Sequence, residues 1–163
     1  GGFEAVSVEH VASMTNLTAS SYLTTSYTPL ISIRLASGRT GAIVLPTTLN
    51  FLPSTADNFQ IGFVKNATLS TPSWSVVASD SNVEYDISST SYTGGTLLYA
   101  EFATGKTGRS ILSVGAGYNW DMQLGASIAG VSDNLTLVAR TVTTGGAATG
   151  GGVGAISFYD LTQ

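Results

Sequence analysis

The chain has 163 residues, a formal net charge of −4 at pH 7 and no cysteine, so its size is that of one domain and disulfides are excluded. Charged residues are 10% of the chain, against about 25% in an ordinary soluble domain. The six Lys and Arg form no cluster, which weighs against nucleic-acid binding, and no apolar run is long enough for a membrane-spanning helix.

The opening GGFEAVSVEH has neither the basic start nor the apolar stretch of a signal peptide; it reads instead as a strand over 3–11. Period-2 alternation and β-branched richness predict further strands at 29–35, 41–51, 58–66, 73–78, 82–88, 96–103, 109–114, 134–143 and 153–161. Clusters of Gly, Ser, Thr, Pro and Asn separate them, and no helical period is sustained. The stretch 115–130 (GAGYNWDMQLGASIAG) fits a loop or a short helix. Many short strands at such spacing predict an all-β fold, an antiparallel β-sandwich of jelly-roll or Ig-like type with about 8–10 strands. The whole of 1–163 is expected to form this single domain.

Two glycine-rich stretches invite a nucleotide reading and fail it. TGGAATGGGVG, 144–154, lacks the G-x-G-x-x-G spacing before a helix and reads as a flexible hairpin connection. In ATGKTGRS, 103–110, Gly105, Lys106 and Thr107 run together, but the position five before Gly105 is Ala100 rather than glycine. A turn is the expectation there.

Catalytic chemistry finds little support. Glu84 and Asp86 flank Tyr85 in SNVEYDISS. On a strand, Val83, Tyr85 and Ile87 share one face and Asn82, Glu84, Asp86 and Ser88 the other. The apolar set is expected inward and the carboxylates in solvent, so that replacing both by amides leaves the fold nearly intact. Asp80, Asn82 and Glu84 alternate as calcium ligands do, but the glycine of such a loop is Tyr85 here and its closing glutamate is Ser91. The one histidine, His10, sits at strand spacing with Val8 and Val6, and no G-x-S-x-G elbow accompanies the many hydroxyls. Carboxylate pairs that meet only in space keep a glycoside-cleaving enzyme as a third reading, behind two non-enzymatic ones. Three N-x-[ST] sequons, at Asn16, Asn66 and Asn134, are about what chance gives with 7 Asn and 43 Ser plus Thr.

The aromatics Trp74, Trp120, Tyr118, Tyr92 and Tyr22 fall in or beside turn-like stretches. Exposed rings among Ser, Asn and Asp suit sugar or protein recognition, and capping of the sandwich ends or packing at a subunit interface is the weightier alternative. As a ligand site, Trp74, Tyr118 and Trp120 would stack on sugar rings while Asn119 and Asp121 bond hydroxyls.

The segments YTPLISIRLASGRTGAIVLPTTLNFL and IGFVKNATLSTPSWSVVASDSNVEYDISSTSYTGGTLL resemble virion structural proteins of tailed bacteriophages, including marine phages, notably tail, baseplate and fibre domains. SDNLTLVARTVT, followed by a Gly/Ala stretch and AISFYDL, is similar to a closing hairpin of that kind. The resemblance spans about residues 27–161 and leaves 1–26 as an N-terminal strand or arm outside it. It implies a β-rich module for assembly or host contact, located in the virion after synthesis in the host cytoplasm, with no catalytic residue, metal or cofactor to carry over. The expected function is that of a non-enzymatic virion structural protein (tail fibre, baseplate or capsid decoration). Its partners would be copies of itself, as a trimer, other virion proteins and a host surface glycan. The alternative is a carbohydrate- or receptor-binding module using the loop aromatics.

Overall fold

TPLISIRL, with β-branched residues on alternate positions, forms strand β3, Thr28–Leu35. It lies inside a six-stranded antiparallel sheet together with β6 (Asp57–Lys65), β8 (Ser75–Val77), β9 (Asp80–Asp86), β11 (Thr96–Gly105) and β14 (Asn134–Thr141). The order is β11-β6-β14-β3-β9-β8. A second sheet contains β2 (Tyr22–Leu23), β5 (Thr47–Pro53), β12 (Ser110–Val114) and β15 (Ala148–Ala155), in the order β12-β5-β15-β2. A third contains β1 (Val6–Val8), β4 (Ala42–Val44), β13 (Gln123–Leu124) and β16 (Phe158–Asp160), in the order β1-β16-β4-β13. A ribbon of β7 (Thr68–Leu69) and β10 (Tyr92–Thr93) completes them. The computed structural model describes residues 6–8, 22–36, 42–44, 47–53, 57–77, 80–105, 110–114, 123–124, 133–142, 148–155 and 158–160.

Register explains the core. Directly opposed residues share a face of a sheet. Ile33 faces Leu135 on one side and Tyr85 on the other, Leu35 faces Val83, and Leu137 faces both Ile31 and Phe63. On this face Ile31, Ile33, Leu35, Ile61, Phe63, Val83, Leu135, Leu137 and Ala139 are each at most 1% exposed. Such closure within a single chain requires another layer of that chain over the sheet, which makes the architecture an antiparallel β-sandwich. Burying each large side chain contributes roughly 1.5–3 kcal/mol.

The opposite face is also covered at its centre. Val64, Ala67 and Val138 are buried there, with Tyr27, Leu69 and Tyr92 packed against them, so the β7–β10 ribbon lies over this face. Burial, followed by the nearby Tyr27, raises the Tyr92 hydroxyl above its ordinary pKa. Beneath the cover, Ser32 Oγ and Thr136 Oγ1 satisfy one another at 2.8 Å, as buried hydroxyls must.

All ten predicted strands overlap observed ones, with three changes; of the 3–11 span only Val6–Val8 falls among the described residues. The 41–51 span divides into β4 and β5 and the 153–161 span into β15 and β16. The glycine stretch expected as a loose connection instead supplies β15, which pairs with β5 and β2. Among the described residues, eight strands have five or more residues and eight others only two or three. Of 115–130, only Gln123–Leu124 falls among the described residues, as strand rather than helix.

The turn from β10 into β11 uses Gly94 and Gly95 at φ +65° and +77°, where a side chain is strained. A Cβ on Gly94 meets nothing within 4 Å, but one on Gly95 would lie 2.6 Å from Val64 Cγ1 and 2.9 Å from the Lys65 carbonyl oxygen. Gly94→Ala is therefore expected to cost about 1–2 kcal/mol and Gly95→Ala more, because backbone must also move. Urea denaturation of the two variants checks the order.

Candidate functional site

On the polar side of the six-stranded sheet, the register aligns Val76, Glu84, Arg34 and Asn134 across β8, β9, β3 and β14. The Arg34 guanidinium lies over the Trp74 ring, 4.2 Å from its centroid, and Arg34 Nε donates to Glu84 Oε1 at 3.1 Å. Trp74 precedes β8 and is half-buried, so one aromatic from a loop and one carboxylate from a strand hold the guanidinium in plane. Further along the sheet Arg140 repeats the arrangement, with Nε donating to Gln60 Oε1 at 2.7 Å and the guanidinium 5.5 Å from the Tyr27 ring.

Beside this row Asp86 overturns its expected solvent position. It is 2% exposed, whereas Ile87, expected in the core, is 46% exposed. Asp86 opposes Ser32 across the strands, on the face that the chain after β6 and after β9 covers. Its Oδ1 accepts from the backbone N–H of Ser73 and from both the N–H and hydroxyl of Ser88, while Oδ2 accepts from the N–H and hydroxyl of Ser89. Burial pushes the carboxyl up, but the bonds from Ser73, Ser88 and Ser89 outweigh it and hold the pKa below the ordinary value. Strand β9 ends at Asp86, which is why the alternation does not carry Ile87 inward. Glu84 and Tyr85 are half-buried.

At the far end of β6, Asn66 adopts φ 60° and clasps the start of β14. Asn66 N–H donates to the Asn134 carbonyl, Asn134 N–H to Asn66 Oδ1, and Asn66 Nδ2 to Asp133 Oδ1. Asn134 Nδ2 donates to the Ala67 carbonyl. Both amides of these two sequons are thus engaged, so a glycan at either would have to break the clasp. An open cleft lined by Lys65, Asn66, Gly95, Thr96 and Leu98 lies alongside.

Of the residues singled out for ligand binding, Trp74 is placed against Arg34 instead of standing alone. Tyr118, Asn119, Trp120 and Asp121 lie outside the described residues, as does His10. Tyr92 belongs to the packed cluster under the ribbon rather than to an exposed ring set, and of Tyr22 only the backbone in β2 is described. Arg34 was not legible as a site residue, because its partners lie 40 and 50 positions downstream and only the strand register brings them together. Among the described residues no group of three or more His, Cys, Asp or Glu could hold a metal ion. No helix among them is long and apolar enough to cross a membrane.

No protein-family model matches the chain, and no curated protein is similar to it at a significant level. Among solved structures, a tobacco necrosis virus chain is 6% identical, with 99% of this chain and 96% of that one covered and a TM-score of 0.29. A semi-empty virus-like particle of the giant freshwater prawn Macrobrachium rosenbergii nodavirus is 11% identical, with 99% and 95% covered and a TM-score of 0.30. At these TM-scores the fold assignment rests on the register and burial described above.

Proposed function

We propose that the chain is a non-enzymatic structural domain of a bacteriophage virion that works in assembly as a homo-oligomer. The observation that carries this reading is the edge strand β11. It is ten residues long, pairs with β6 on one side, and pairs with no described strand on the other. A long open edge is a template for a further strand, and a second copy supplies one by two-fold or ring pairing. The register irregularity between Leu97 and Tyr99 bends only the start of β11, and from Tyr99 to Gly105 the pairing with β6 is regular. The opposite edge, β8, has three residues and an irregularity of its own, so it offers a second strand far less. Two lysines in the whole chain leave few charges to guard an edge.

Leu97, 47% exposed at the start of β11, suits apolar contact with a neighbour. The resemblance of residues 27–161 to tailed-phage tail, baseplate and fibre domains supports a place in the virion, and threefold association would fit a fibre. Light scattering on a sizing column tests this directly. A mass at a multiple of the 16.7 kDa chain, reduced by Leu97→Lys without loss of fold, is the expected result. A monomer at micromolar concentration would overturn the reading.

A further inference from the structure

We infer that Arg34, Trp74 and Val76 form a subsite for a carboxylate-bearing sugar. This takes the carbohydrate-binding alternative to a defined site and does not depend on self-association through β11, which lies at the other edge of the sheet.

The guanidinium carries five donors in a rigid fork. Its Nε is committed to Glu84 Oε1 and its face to the Trp74 ring, while its Nη atoms donate to no described residue. The Arg34 side chain is 34% exposed, so the remaining fork is reachable from solvent and already held in one orientation. A carboxylate takes such a fork with two parallel hydrogen bonds, and prior immobilisation of the arginine lowers the entropic cost of that contact.

The surroundings select a sugar. Val76 opposes Glu84 across β8 and β9, in the same cross-strand row as Arg34, and is 53% exposed, so an exposed apolar side chain shares this face of the sheet and can meet the C–H face of a pyranose. Exposed Ser73 directly precedes half-buried Trp74 and supplies a hydroxyl for a polyol. Glu84 at 3.1 Å from Arg34 leaves little net positive charge, which disfavours a multiply charged phosphate and suits a ligand with a single negative charge embedded in neutral hydroxyls. A uronic acid and a sialic acid share this chemistry.

The test is calorimetric titration of the full chain with methyl galacturonide and with sialyllactose, each beside its neutral counterpart, methyl galactoside and lactose. The expected result is that at least one acidic sugar binds about tenfold or more tightly than its neutral partner, as a charge-assisted pair implies. Arg34→Lys, which keeps the charge and removes the fork, should weaken that binding about tenfold and leave the neutral sugars as they were. Arg140→Lys should change neither. If Arg34→Lys lowers the melting temperature enough to confuse the comparison, Val76→Ser leaves the stack in place and should still weaken acidic-sugar binding severalfold. Equal affinity for acidic and neutral sugars, no binding of either acid at millimolar concentration, or acidic binding indifferent to both variants would each overturn the inference. The identity of the acid that binds separates a uronate from a sialate source.

Discussion

Asp86→Asn is expected to remove about 2–4 kcal/mol of folding stability at pH 7. The carboxylate is 2% exposed and accepts from three backbone N–H groups and two hydroxyls. Its donors come from Ser73, just before β8, and from Ser88 and Ser89, just after β9, so one side chain fastens both ends of the β8–β9 hairpin. An amide of the same shape turns one acceptor into a donor aimed at other donors, and of the three serines Ser89 is itself buried. Glu84→Gln, by contrast, weakens one half-exposed ion pair and should cost less than about 1 kcal/mol. The pH dependence carries a sign. The folded-state pKa lies below the ordinary value of 3.8, so the unfolded chain binds the proton more readily. The stabilisation is therefore complete above that ordinary value and is lost as pH falls through the lower folded-state value. Urea denaturation from pH 7 down to pH 2.5 should show the gap between wild type and Asp86→Asn narrowing below about pH 4. A gap under about 1 kcal/mol at pH 7, or one that does not change with pH, would show that the serine donors find water as easily as they find Asp86.

The same residue marks where sequence reasoning stopped. Alternation located β3 and β14 within one or two residues at most boundaries, because one face of each carries Ile and Leu while the strand ends are punctuated by Ser, Gly, Asp and Asn. It misassigned Asp86 because a period of two separates two faces but does not say that both are covered. In this sheet Ser32, Thr136 and Asp86 are buried on the polar face as completely as Ile33 and Leu135 are on the apolar one, and the cover is a separate ribbon of two-residue strands. Two residues carry no period, so β7, β10 and β13 left no signal. The glycines of β15 misled for a different reason. Glycine weakens a strand, yet it also lets neighbouring backbones approach closely, and a Gly run between two partner strands cannot be told from a loop without the pairing. Trp74 was legible as an aromatic in a turn, but its geometry was not, since Arg34 reaches it only through the β3–β9–β8 register.

Phe63→Ala should be the most damaging single truncation among the described residues, at about 3–5 kcal/mol. The ring is 0% exposed and is the largest of the fully buried side chains. Strand β6 lies between β11 and β14, and Phe63 opposes Tyr99 on one side and Leu137 on the other. The apolar row that continues through Ile31, Leu137 and Phe63 is therefore interrupted at its widest point. Backbone pairing on both sides restrains β6 from closing the gap, so the cavity term adds to the lost transfer energy. Phe63→Leu keeps most of the volume and should cost about 1–1.5 kcal/mol. For a chain of this length each kcal/mol moves the melting temperature by roughly 2–4 °C, so a drop on the order of 10 °C for the alanine variant is readable by circular dichroism. Because Phe63 and the outer edge of β11 lie on opposite sides of Tyr99, the two properties separate. A Phe63→Ala protein still folded at low temperature should keep its solution mass while losing stability, whereas Leu97→Lys should lose mass while keeping its melting temperature. If both variants lowered mass and melting temperature together, folding and association would be one event, and the β11 edge would have to be regarded as part of the core.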